Sequence, residues 1–144
     1  MLLAAAGLDR LGLAESIAEH LDPEQFCPAA CQGILAIETR SDEAEVIELL
    51  APLSDRESAI VAAAERAFLQ RLEGGCSVPM ACHATLNDAE LRVRALVVDP
   101  SGEPLFEARA SGSPSDAAKL GRELAEVLLE RGAAGILERL TGRT

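Results

Sequence analysis

Cys76 is the residue best placed to do chemistry. It lies in the run LEGGCSVP, residues 72–79, between paired glycines and a proline, where a helix pattern gives way to a strand pattern. Junctions of this kind run over the protein surface. A thiol there can be reached by an electrophile, and Gly74 and Gly75 leave room for a bulky group against the backbone. The C-terminal end of the preceding helix raises a thiol pKa rather than lowering it, so activation has to come from Arg66, Arg71 or groups beyond this segment. On these grounds alone a reactive thiol and an inert loop cysteine are equally compatible with the sequence.

Two other constellations compete for the same residues. Cys27 and Cys31 are four apart, and Cys76, Cys82 and His83 lie close together, which raises structural zinc. The spacing departs from the CxxC pairs of common zinc sites, and strand alternation sends Cys82 and His83 to opposite faces. No metal is therefore expected; Cys82 reads as a small buried hydrophobe, and Cys27 and Cys31 as core filling. A cysteine hydrolase would need His83 or His20 as base for Cys76. His83 belongs to a strand and His20 to a distant segment, so no nucleophile–base pair is specified.

The elements that must position these residues divide at Ala51-Pro52-Leu53. Residues 1–51 carry two basic and ten acidic residues, and residues 52–144 carry eleven and fourteen. The first segment offers the short amphipathic pieces GLDRLGL and AESIAEHL, a strand-like ILAIET at 34–39 and a helix in DEAEVIELL. These do not make a self-contained core, so residues 1–51 read as the remnant of a larger α/β domain. Their exposed apolar surface predicts self-association or disorder.

Residues 52–144 are locally consistent throughout. Ser54 and Glu57 suggest a capping box, followed by Ile60, Ala63, Ala64, Ala67 and Phe68 on one helical face and a stop at Gly74-Gly75. Val78, Met80, Cys82, Ala84 and Leu86 alternate, Asn87-Asp88 turns the chain, and Leu91, Val93, Ala95 and Val97 alternate with Arg92 and Arg94. Asp99-Pro100-Ser101-Gly102 is a turn leading into LFEARA. Ser113-Pro114-Ser115-Asp116 starts a helix with Leu120, Leu124, Val127 and Leu128 inward, and a last helix holds Ile136, Leu137 and Leu140. Tight turns make neighbouring strands antiparallel. The fold class is α+β: a three-stranded antiparallel sheet covered by helices on one face.

Composition limits the partners. A net charge of −11 argues against nucleic acid, which needs clustered Lys and Arg. Twelve arginines to one lysine suit bidentate binding of carboxylates, although genomic composition accounts for the count equally well. No apolar run reaches the roughly 18 residues a bilayer span needs, and the N-terminus lacks a signal peptide's basic region. A cytoplasmic setting with reduced cysteines is the expectation, and no membrane partner.

The run AERAFLQRLEGGCSVPMACHA resembles, nearly position for position, the cofactor-attachment region of porphobilinogen deaminases. The runs LAAAGLDRLGL and PAACQGILAIETR resemble two further blocks of that family, in the family's order, over about residues 1–140. The resemblance implies hydroxymethylbilane synthase activity in tetrapyrrole biosynthesis. Four porphobilinogen units are joined into a linear tetrapyrrole with release of ammonia. It implies that Cys76 carries dipyrromethane through a thioether, that Arg10 binds cofactor or substrate carboxylates, and that Gln32 contacts the pyrrole chain. Glu65 and Arg66, in a matching block, are expected to form interdomain salt bridges, each with its own partner. The family's catalytic aspartate lies in an N-terminal domain. Asp9, Asp22 and Asp42 fall outside that motif, so no catalytic residue is expected within 1–144 and the chain alone is expected to lack turnover. Residues 1–33 resemble the end of the family's second domain, 34–51 a return to the first, and 52–144 the cofactor-anchoring domain. The remaining alternative is a non-catalytic scaffold.

Overall fold

The computed structural model describes residues 1–72 and 78–141. Its central element is the helix α3, Arg56–Leu72, where Val61, Glu65, Phe68 and Leu72 fall at helical spacing along one side. The helix is capped one residue later than Ser54 predicts: the Asp55 carboxylate accepts the Ser58 N–H at 2.7 Å. Ala64, Ala67 and Phe68 are buried as expected, whereas Ala63 faces solvent and Glu65 takes the buried place beside Ala64.

The strands β1 (Met80–Asn87), β2 (Glu90–Val98) and β3 (Leu105–Gly112) form an antiparallel sheet in the order β1-β2-β3. Asp88-Ala89 makes the first hairpin loop, with Asp88 at φ 54°, a left-handed conformation that aspartate tolerates. The turn thus sits one residue beyond Asn87-Asp88. Register places Cys82, Ala95 and Ala108 in one row of the inner face, with Met80, Val97 and Phe106 in the next. The outer face carries the row His83, Arg94, Arg109 and the row Thr85, Arg92, Ser111.

Two long helices cover the inner face. The chain turns through Pro114–Asp116, where the Ser113 side chain accepts the Ser115 N–H, into α4, Ala117–Leu128. Leu120, Leu124 and Leu128 of α4 are buried against Phe68, Leu91, Val93 and Val97. Gly132, at φ 120°, kinks the chain over the Phe106 ring and starts α5, Ala134–Thr141, which buries Ile136 and Leu137 but leaves Leu140 exposed. The domain is the α+β arrangement the local signals predict.

Residues 1–51 contain the helices α1 (Ala5–Arg10) and α2 (Ala44–Leu50), a 3₁₀ turn at Ala14–Ser16 and irregular chain. None of these residues is buried. The strand expected at 34–39 does not form: Leu35 is 91 % exposed and Ile37 60 %. Isolated extended chain has nothing to satisfy its ladder hydrogen bonds, so strand composition alone does not make a strand. Among the described residues no helix is long and apolar enough to cross a membrane.

Candidate functional site

The one buried charged residue among those described is Glu65, 3 % exposed. Its place in α3 sets it against the open edge of β1. There Oε1 accepts the Ala84 N–H at 2.7 Å, an edge amide that no neighbouring strand takes up. Oε2 accepts the backbone N–H of Cys31, which belongs to the first segment. His83 Nδ1 lies 3.9 Å from Oε1. Cys31 has φ 62°, a conformation that costs a side-chain-bearing residue about 1–2 kcal/mol, so the charge-assisted bond to Glu65 holds a locally unfavourable backbone in place.

On the outer face, Arg94 forms a bidentate pair with Glu107 at 2.9 and 3.0 Å. Its remaining amino group donates to the carbonyl oxygens of Pro23 at 3.1 Å and Glu24 at 2.7 Å. Arg109 bonds the Glu24 carboxylate at 2.7 Å and Glu107 at 3.1 Å. The hydrogen bonds from Arg94 hold the Glu107 carboxyl below its ordinary pKa and, reciprocally, raise that of Arg94. An open concavity of about 520 Å³ remains on this face, lined in part by Glu24, His83, Asn87, Arg92, Arg94 and Arg109. Arg92 is paired with Glu90 at 2.8 Å, so an anion entering would compete with carboxylates already bound to all three arginines.

The residues that the sequence singles out fall in different places. Cys76 lies outside the described residues, as does the helix stop at Gly74-Gly75. Arg10 is exposed in the last turn of α1 and makes no ion pair among the described residues. Gln32 is exposed in the turn after Cys31, its N–H donating to Ala29 O at 3.1 Å. No hydrogen bond among the described residues joins Arg10 to Gln32. Arg71, one of two candidates to activate Cys76, forms a bidentate pair with Glu126 of α4 at 2.5 and 2.9 Å. Arg66 is exposed and forms no ion pair among the described residues, so the salt bridge expected of it is absent there. Glu65 does connect the two segments, but through a backbone amide of Cys31 rather than an ion pair.

The described cysteines are not activated. Burial pushes the Cys82 thiol far up, with Glu65 adding to it, and Cys82 is fully enclosed in the inner face. Burial also raises Cys27 and Cys31; Arg94 partly offsets this for Cys27 and Arg66 for Cys31. Cys27 and Cys31 are only partly buried, so they line the join between the segments rather than fill a core. Among the described residues, no three His, Cys, Asp or Glu side chains converge as a metal site.

Comparison with known proteins places these features. Residues 59–130 match the family described as "Porphobilinogen deaminase, C-terminal domain", and residues 1–48 match "Porphobilinogen deaminase, dipyromethane cofactor binding domain". The cofactor-binding description thus falls on the segment that holds Arg10 and Gln32. A porphobilinogen deaminase of Syntrophobacter fumaroxidans is 46 % identical over 97 % of this chain and 45 % of its own length. That of Halalkalibacterium halodurans is 44 % identical over 97 % of this chain and 45 % of its own, and that of Syntrophotalea carbinolica 46 % over 97 % and 44 %. The chain spans about half the length of the curated relatives it matches. With two domain descriptions of one family matched in order along it, the chain belongs to the porphobilinogen deaminase family.

Proposed function

We propose that this chain forms part of a hydroxymethylbilane synthase, the transferase that joins four porphobilinogen units into the linear tetrapyrrole hydroxymethylbilane with release of ammonia. Residues 52–144 are the cofactor-anchoring α+β domain; residues 1–51 are the end of a second domain and a return segment to a first. The supporting observation is the 44–46 % identity, over 97 % of the chain, to proteins named porphobilinogen deaminase.

Cys76 is the anchor in this reading. A thiolate is a good nucleophile toward carbon electrophiles, and the thioether it forms resists hydrolysis, so one residue both captures the dipyrromethane and retains it. When bound, the dipyrromethane supplies the pyrrole end from which the chain grows. Arg10 and Gln32 fit such a polycarboxylate. Both are exposed, and the Arg10 guanidinium has no ion pair among the described residues, unlike Arg92, Arg94 and Arg109. Arg10 would take a carboxylate bidentately, and Gln32 would donate or accept a hydrogen bond along the pyrrole chain. Porphobilinogen is the small-molecule partner, and the family's remaining domain is the macromolecular one.

Intact-mass spectrometry of the purified chain tests the anchor. The expected result is a mass increase of one dipyrromethane that Cys76→Ser removes and Cys27→Ser leaves in place. An increment that survives Cys76→Ser would refute Cys76 as the anchor, whereas an unmodified chain would show that this part of the protein does not assemble its cofactor.

A further inference from the structure

Residues 22–32 leave the first segment, cross the sheet domain and are gripped at two places. At one end Arg94, whose side chain is 13 % exposed, donates to the carbonyl oxygens of Pro23 and Glu24. Arg109 adds the Glu24 carboxylate at 2.7 Å. At the other end Glu65 accepts the Cys31 N–H and holds that residue at φ 62°. Both grips end on strap backbone, and both gripping side chains are themselves held from behind. Glu107 fixes Arg94 bidentately, and the Ala84 N–H fixes Glu65. Little side-chain freedom is then left to lose when the strap is bound, which distinguishes these contacts from ordinary surface ion pairs. The hydrogen bonds seen beyond the strap are local: Arg40 with Asp42, Ile47 with Glu43 and Ser54 with Ala51.

We infer that residues 22–32 are mechanically part of the sheet domain, clasped to it by Arg94 and Glu65, and that the joint between the two segments lies after Gln32, within residues 33–54. Arg94 and Glu65 are positioning residues. Where the function proposed above holds, on which this consequence rests, they keep Gln32 in fixed relation to the domain that carries Cys76. Gln32 then travels with the anchor and not with the segment that precedes it.

Amide hydrogen exchange of the whole chain, read by mass spectrometry, tests the clasp. Peptides within 23–32 should exchange at least about tenfold more slowly than peptides within 35–42, because only the former are tied to the sheet. Arg94→Gln should bring residues 22–27 to the fast rate while β2 and β3 keep their protection. Equal exchange of the two stretches in the unaltered chain would overturn the inference without recourse to any variant. So would a strap that stays protected in Arg94→Gln. The readout needs no cofactor, so the two proposals fail separately: a mass increment that survives Cys76→Ser with a protected strap sinks only the Cys76 anchor, and an unprotected strap with an increment that Cys76→Ser removes sinks only the clasp.

Discussion

Glu65 shows how a residue can be placed by sequence and still be misread. Its position on α3 is four after Val61 and three before Phe68, on the stripe that meets the sheet, and a carboxylate on an apolar stripe is a signal for a buried hydrogen-bonded role. What it binds could not be read, because its partners are backbone amides 34 residues upstream and 19 downstream. Asp99 is the opposite case, a turn residue whose environment is nearly all local. The Ser101 N–H at 3.0 Å, the Ser101 hydroxyl at 2.7 Å and Arg139 at 2.7 Å together pull its carboxyl down to about 2 from 3.8. A carboxyl depressed in the folded state contributes stability that is complete above its unfolded value and lost as pH falls through its folded one. Urea unfolding of Asp99→Asn should therefore show a deficit against the unaltered protein at about pH 5 that shrinks below about pH 4 and vanishes near pH 2. A deficit independent of pH across that window would count against the ionised carboxylate as its source.

Among the elements, α4 and α3 show why a glycine can be worth more than helix propensity allows. Gly121 sits in mid-helix, where alanine would ordinarily be preferred by about 1 kcal/mol. A Cβ there would lie 2.0 Å from Ala64 O and 3.1 Å from Phe68 N, so α4 can rest on the backbone of α3 only because that atom is missing. Gly121→Ala should destabilise the protein by about 1–3 kcal/mol or more despite its better propensity, lowering the thermal midpoint by several degrees. An unchanged or raised midpoint in a calorimetric scan would mean the helices do not approach this closely. Element boundaries were legible where local chemistry decides them, as at the Ser113 start, and nearly so at the β1–β2 hairpin, whose turn is one residue later than Asn87-Asp88. They failed at ILAIET, where strand composition has no partner strand, and slipped by one residue at the α3 cap, where Asp55 and Ser54 both qualify by type.

At the scale of the molecule, every buried residue described lies between Ala64 and Leu137, while Leu2, Leu3, Leu11, Phe26, Leu35 and Leu49 are exposed. Folding free energy from apolar burial thus comes mainly from the second segment, with Ala30 of the first packed at the margin of its core. A polypeptide of residues 52–144 should unfold in one cooperative transition, whereas residues 1–51 alone should show none. Circular dichroism with thermal melting of the two pieces checks this, and a non-cooperative melt of 52–144 would show that the strap is needed to complete the fold. The same exposed side chains on residues 1–51 underlie the expectation of self-association or disorder there, and sedimentation across a concentration series would show self-association as a rising mean mass.

Periodicity, turn residues and caps by themselves determined the order and type of nearly every element in residues 56–141, because helix and hairpin signals act over a few residues and here all agree. The resemblance of ordered sequence blocks carried the family, and it singled out Cys76, Arg10 and Gln32 without any geometry. Only the tertiary structure decided that Arg71 pairs with Glu126, that Arg94 and Arg109 hold Glu24, and that Glu65 ties Cys31 to the edge of the sheet. Those contacts join residues far apart in the chain, and their partners are fixed by how helices and strands pack rather than by any local pattern.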